Sequence, residues 1–265
     1  MDYFPQLSTG NSAQYPLIKR HSFRTATVTS ADGRSSKYED GGWRNIQWEL
    51  QFAGLTSEEW TRFSNHFANA EGMLNTFPFL DGSDNLLKWS DKLSDSAWTV
   101  DPLLTSTIGI ADPTGGTQGL RIQNAGIAWQ GVQQTLAAPA AFTYSFSVSA
   151  RSDAGARMRM NISGNGQNVQ QEFAVDTEWR RYVVTGNLPG TDLLVHFGLQ
   201  IDQANQAEIF GMQVEPQIGA SRYKKTTALN GVHLNTRYDQ DELKLTSDRP
   251  GEYSTTIRLI SREPL

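Results

Sequence analysis

Alternation of apolar and polar residues with a period of two is the feature that most narrows what this chain can fold into. In the run from Phe142, the residues Phe142, Tyr144, Phe146 and Val148 fall on one face, and Thr143, Ser145, Ser147 and Ser149 on the other. That is the pattern of a half-buried strand. Comparable runs cover Gly119 to Gln123, Gln130 to Leu136, Arg157 to Ile162, Arg181 to Thr185, Leu194 to Ile201 and Glu208 to Glu215. Gly, Pro, Asn or Asp lies between them, so the chain turns after each run. Short strands punctuated in this way predict a β-sandwich of jelly-roll type over residues 83–223.

The flanking segments have a different texture. Ile46, Trp48, Leu50 and Phe52 alternate with polar residues as in a strand. Thr56-Ser57-Glu58-Glu59 then reads as a capping box, with Trp60, Phe63 and Phe67 at helical spacing behind it and Gly72 as a stop. A helix from Ser57 to Glu71 is therefore expected, followed by a short strand at Thr76 to Leu80 and a turn at Asp81-Gly82-Ser83-Asp84. At the other end, Glu242 to Thr246 and Tyr253 to Ile260 read as strands around the turn Asp248-Arg249-Pro250-Gly251. So short a closing segment cannot bury a core of its own. Residues 1–82 and 224–265 are thus expected to form one discontinuous domain, a β-sheet or barrel plus one helix, with the sandwich inserted. The aromatic N-terminal arm, Tyr3 to Leu17, lacks a clear period and is expected to lie against a neighbouring subunit or its own domain.

Composition removes several function classes. Apolar residues make up 38% and charged residues 19%, which is a globular balance. There is no cysteine, so thiolate metal sites, disulfides and Cys nucleophiles are excluded. A net charge of −5 argues against nucleic-acid binding through a basic surface. No apolar run reaches the length of a membrane span, and the start of the chain lacks a signal-peptide pattern. Synthesis and folding in the cytoplasm, with no membrane insertion, are the expectation.

Signatures of catalysis are also missing. His21, His66, His196 and His233 lack metal-ligand spacing, and His66 reads as a surface or boundary residue of the helix. Gly164-Asn165-Gly166 is a hairpin turn rather than a phosphate cradle, because no helix follows it. The acids of the sandwich stand mostly in turns, where they cap backbone groups, so the paired carboxylates of a glycosidase are not evident. The chain is expected to be no enzyme, with no cofactor and no metal.

Sugar binding needs an aromatic face and a few fixed polar groups. Trp129 with Gln130, followed by Gln133-Gln134, is the leading candidate. Trp89, Trp98 and Trp179 are alternatives, although Trp98 and Trp179 sit where sandwiches bury an aromatic. Arg157 and Arg159 alternate with Met158 and Met160 and so share a face, suited to an anionic glycan, a neighbouring protein or plain solvent. The candidate carbohydrate site is therefore Trp129, Gln130, Arg157 and Arg159.

Two resemblances cover nearly the whole chain. The segments FPQLSTGNSAQYPL, WRNIQWELQFAGLTSEEWTRFSNHF and EGMLNTFPFLDG resemble the N-terminal hub domain of distal tail proteins from long-tailed bacteriophages and related gene transfer particles. TRYDQDEL followed by EYSTTIRLI resembles the closing hairpin of that domain. NLLKWSDKLSDSAWTV, through GLRI, IAWQGVQQTL, YSFSVSARS and EWRRYVVTG to IFGMQVEPQ, is similar to carbohydrate-binding, galactose-binding-like jelly rolls. The resemblances imply a homo-hexameric ring at the virion tail tip, made in the host bacterial cytoplasm. It would join the tail tube protein to the tail-tip hub proteins, with an outward domain touching host-surface polysaccharide or neighbouring proteins. A stand-alone lectin, a glycan hydrolase and a decoration domain that binds no sugar are the competing classes.

Overall fold

The computed structural model describes residues 2–264. It is mainly β, and its strands divide between two compact units. One unit comprises the chain up to Ser8, Ala13–Phe79 and His233 onward; the other comprises Thr9–Ser12 and Leu80–Val232.

The first unit holds an antiparallel sheet. Its order is β1 (Leu17–Thr29), β2 (Ser35–Leu55), β16 (Glu252–Pro264), β14 (Val232–Tyr238) and β3 (Phe77–Leu80), with β15 (Thr246–Arg249) paired to β16. The sheet does not close, so the barrel half of the expectation is corrected to an open sheet. The alternation read in β2 places Ile46, Trp48, Leu50 and Phe52 in the core beside Ile257 and Leu259 of β16. The expected strand from Glu242 is also corrected, since regular pairing starts only at Thr246. Side chains capture the backbone before it: Gln240 Nε2 donates to the Glu242 carbonyl, and Thr255 Oγ1 donates to the Lys244 carbonyl.

Helix α1 (Ser57–Asn69) begins with the capping box read from the sequence. The Glu59 amide donates to Thr56 Oγ1 at 3.2 Å, and the Thr56 amide donates back to Glu59 Oε2 at 2.9 Å. The helix stops two residues before Glu71 because Glu71 and Gly72 adopt positive φ, while the Gly72 amide donates to the Phe67 carbonyl. His66 is not at the surface. It is 4% exposed, with Nδ1 2.7 Å from the Tyr238 hydroxyl. The start of the N-terminal arm packs on the first unit, where Phe4 sits 5.4 Å from Phe63 and 5.5 Å from Phe79 by ring centres, whereas Thr9–Ser12 belong to the second unit.

The second unit is a sandwich of two five-stranded antiparallel sheets. In one, β10 (Gln167–Val175), β9 (Ala156–Gly164), β12 (Leu194–Ile201), β7 (Gln130–Ala137) and β4 (Thr99–Val100) lie in that order. In the other the order is β11 (Arg180–Gly186), β8 (Tyr144–Arg151), β13 (Gln206–Glu215), β6 (Gly119–Asn124) and β5 (Leu104–Ile110). Tyr144 and Phe146 of β8 meet Phe197 of β12 edge-on between the sheets, at 5.4 and 6.0 Å. Outside the β8 sheet, the fully buried Glu215 accepts from the Ser221 amide and from Lys224 Nζ. The chain that follows β13 therefore covers that outer surface. The outer face of the β12 sheet is left with half-buried polar side chains.

Candidate functional site: a polar groove on the sandwich

Strand alternation decides which side chains reach the outer face of the β12 sheet. In β9 the buried Met158, Met160 and Ile162 alternate with Arg157, Arg159, Asn161 and Ser163, which point outward. Register then aligns outward positions across the sheet. Gln170, Asn161, Gly198, Gln133 and Thr99 form one row. Glu172, Arg159, Gln200 and Gly131 form the next, and Asn168, Ser163, His196 and Thr135 the row on the other side.

The first row, with Gln200 and Gly131 of the second and Asn168, Ser163 and His196 of the third, lines a groove of about 680 Å³. Glycines make its floor, since a Cβ on Gly198 would stand 2.5 Å from Asn161 Oδ1. On Gly131 a Cβ would stand 2.2 Å from the Leu199 carbonyl and 2.6 Å from Gln200 Cγ. Glycine within a strand costs conformational entropy and packs nothing, so two in adjacent central strands mark where the Asn161 and Gln200 side chains and the Leu199 carbonyl approach the backbone closely. Amides dominate the walls. Gln133, Asn161, Gln170 and Gln200 each present a donor and an acceptor, and Ser163 and Thr99 add hydroxyls. Asp101 is the carboxylate of this lining, and its Oδ2 already accepts from the Gly131 amide at 2.8 Å. The His196 Nδ1 sits 2.8 Å from Thr135 Oγ1.

The residues singled out from the sequence divide. Trp129, Arg157 and Arg159 come together beyond one end of the groove, with the two guanidiniums 5.6 and 4.2 Å from the indole centre. Each arginine also has a carboxylate partner: Arg159 meets Glu172 at 2.6 Å and Arg157 meets Asp202 at 3.4 Å. That pairing weakens the case for an anionic ligand, because both cations are already neutralised locally. Gln130 does not join them. It pairs with the inward-facing Ile201, and its Oε1 accepts from the Leu103 amide at 3.4 Å, on the other side of the sheet. Trp98 is buried as expected, whereas Trp179 is half-buried and carries the Arg151 guanidinium at 5.1 Å.

Sequence reading did not find Asn161, Gln170, Gln200 or His196. Their signal was the alternation of β9 and β12 itself, in which every outward position but Leu194 is polar or Gly. β10 was overlooked because Gln167 and Gln171 interrupt its apolar face of Val169, Phe173 and Val175, which blurs the alternation.

No protein-family model matches the sequence, and neither does any curated protein. Among solved structures, the C-terminal family 22 carbohydrate-binding module of Clostridium thermocellum xylanase 10B aligns with 54% of this chain and 99% of its own. The identity is 16% and the TM-score 0.40. A family 22 xylan-binding domain from Paenibacillus barcinonensis aligns with 53% of this chain and 97% of its own, at 15% identity and a TM-score of 0.42. The enzymatically active domain of a tailspike protein from bacteriophage CBA120 aligns at 10% identity and a TM-score of 0.40. This chain spans 22% of that tailspike and 28% of a xylanase 10B structure that joins a binding module to its catalytic module. Identities and scores of this size carry no function from those proteins to this one.

Proposed function

We propose that the sandwich is a binding module for neutral glycan chains, seated in the amide-lined groove across β10, β9, β12, β7 and β4. The observation that carries this reading is the glycine floor at Gly131 and Gly198 beneath a wall of side-chain amides. Each sugar hydroxyl both donates and accepts, and adjacent amide N–H and C=O groups satisfy both roles without a net charge. The groove is open, and its lining contains no aromatic platform. Binding is therefore expected to be weak, with Kd on the order of 0.1–1 mM. Calorimetric titration with neutral oligosaccharides (xylo-, gluco- and galacto-series) tests the reading. Asn161→Ala and Gln133→Ala should each weaken the best ligand about tenfold, the ~1.4 kcal/mol of a lost hydrogen bond. No binding in any series, or binding indifferent to both substitutions, overturns it.

A second reading concerns the whole chain, and the β1–β2 hairpin favours it. Pairing of β2 with β16 ends at Trp43 opposite Pro264, while β1 and β2 continue as a two-stranded ribbon. Val28 and Tyr38 are exposed on it, and Phe23 and Trp43 are exposed at its base. A lone ribbon is marginal in water and gains from a partner along its length. Taken with the resemblance to distal tail proteins, this supports a structural ring subunit at a phage tail tip, a homo-hexamer between tail tube and tail-tip hub proteins. In that setting the glycan groove would serve attachment to host-surface polysaccharide. Native mass spectrometry of the full chain should then show a closed oligomer that Phe23→Ser with Tyr38→Ser dissolves. A strict monomer at high concentration would speak for a stand-alone glycan-binding module instead.

A further inference from the structure

A second cleft in the sandwich unit, unconnected with the groove residues, is built around Trp89. Its backbone has φ of +47°, a left-handed conformation that a bulky side chain rarely adopts. The surroundings enforce it. The Trp89 amide donates to the Thr227 carbonyl at 2.9 Å, and the Trp89 carbonyl accepts from the Lys92 amide at 2.9 Å and from Trp98 Nε1 at 3.0 Å. On either side, the Lys88 amide and carbonyl are held by the Gln134 side chain, and Ser90 and Thr226 exchange hydrogen bonds. An unfavourable backbone fixed this firmly is a device for presenting the residue that bears it.

What it presents is a half-buried indole in a cleft of about 540 Å³, with Leu120 and the largely exposed Ile108 as further apolar walls. The polar groups stand on the rim. Lys92 Nζ lies 4.8 Å from the indole centre, Lys225 Nζ pairs with Asp91 at 2.5 Å, and the Gln118 side chain completes the lining. Gly109, at φ +85°, has nothing near its Cβ direction, which keeps one side open.

We infer that Trp89 is the platform of a second carbohydrate site, taking a single neutral pyranose rather than a chain. The C–H face of the sugar would lie on the indole, displacing the flexible Lys92 head to the rim. There ammonium donors and the Asp91 carboxylate meet hydroxyls on the same ring. Charge on the rim supports a neutral sugar, because Lys225 and Lys92 are balanced by Asp91 and Asp95. The site differs from the groove in having an aromatic face, and its occupancy does not depend on the groove's.

The test is NMR titration of the full chain with methyl glycosides of glucose, galactose, mannose and xylose, following the indole N–H resonances. At least one glycoside should shift the Trp89 resonance with a millimolar Kd. Trp89→Gly suits the +47° backbone, so it should keep the fold by circular dichroism while weakening that glycoside at least tenfold. Asn161→Ala, in the groove, should leave the affinity unchanged. A Trp89 resonance that no glycoside moves, or Trp89→Gly binding as tightly as the parent, overturns the inference. Loss of the same binding in Asn161→Ala also overturns it, because the sugar would then sit in the groove.

Discussion

The guanidinium of Arg159 lies 4.2 Å from the centre of the Trp129 indole, and its NH2 group binds Glu172 at 2.6 Å. The two residues are far apart in sequence and meet because Trp129 runs into β7 while β9 pairs with β12 beside it. The carboxylate fixes the plane of the guanidinium, so the stack forms without ordering a free side chain. Trp129 is therefore partly occupied by protein, rather than an open platform for sugar.

A double-mutant cycle measures that contact. Trp129→Ala and Arg159→Ala, alone and together, should give a coupling of about 0.5–1 kcal/mol in denaturant unfolding of the sandwich, the usual range for partly exposed cation–π pairs. A coupling near zero would mean that ring and guanidinium are neighbours without attraction.

The two groove glycines should respond differently to alanine. At Gly198 the new Cβ meets the Asn161 side-chain amide, which can swing away. Gly198→Ala is expected to cost little stability but to reduce oligosaccharide affinity about tenfold. At Gly131 the Cβ meets the Leu199 carbonyl, part of the ladder itself. Gly131→Ala should cost roughly 1–3 kcal/mol, as overpacking does. Thermal unfolding and titration of both variants separate the cases, and equal destabilisation would refute the distinction.

Much of the fold was legible because burial follows period. Leu194–Ile201 and the Thr56–Glu59 capping box fall where the pattern puts them, since one face of each element meets a core. β1, as LIKRHSFRTATVT, was not legible because a strand largely exposed on both faces has no hydrophobic alternation to read, and β10 was not because Gln167 and Gln171 interrupt its apolar face. The candidate site was half legible for a related reason. Sequence draws the eye to Trp129, Arg157 and Arg159, but a groove consists of absent side chains. Only register reveals that Gly131 and Gly198 stand beside each other's neighbours. Gln130 misled because a residue next to Trp129 in sequence necessarily faces the opposite side of a strand.

His66 gives the first unit a pH dependence. Burial pushes its imidazole below the ordinary value of 6.5, against a smaller opposing effect from Asp2. The unfolded chain therefore binds the proton more readily, so the stabilisation is complete above pH 6.5 and is lost progressively as pH falls below it. His66→Gln should flatten the unfolding midpoint between pH 7 and 5. The capping Glu59, also held below its ordinary value, acts in a separate window below pH 4.5, where its bonds to Ser8 and Thr56 outweigh burial. An unchanged slope between pH 7 and 5 in His66→Gln would assign the dependence elsewhere.

Phe4 decides whether the N-terminal arm belongs to the core or to an interface. Its ring is 2% exposed and stands within 6.2 Å of Phe63, Phe77 and Phe79 by centres, and the Phe4 amide donates to the Pro78 carbonyl at 2.9 Å. Leu7 joins the same cluster, and Ser8 binds Glu59 of the capping box at 2.6 Å. The arm therefore closes one end of the first unit's core and holds the start of α1. Phe4→Ala should cost about 3–5 kcal/mol, since it removes a buried aromatic and leaves a cavity between rings that cannot all collapse. The loss should appear only in the transition of the first unit, with the sandwich melting as before. Deleting residues 1–8 should have the larger effect, because it also leaves Glu59 without Ser8. Deleting residues 1–16 should disturb the sandwich as well, since the Ser12 amide donates to the Pro216 carbonyl there. Denaturant unfolding followed by near-ultraviolet circular dichroism resolves these outcomes. A Phe4→Ala cost below about 1 kcal/mol, well under the range for a buried aromatic, would return the arm to the surface and to a role in assembly.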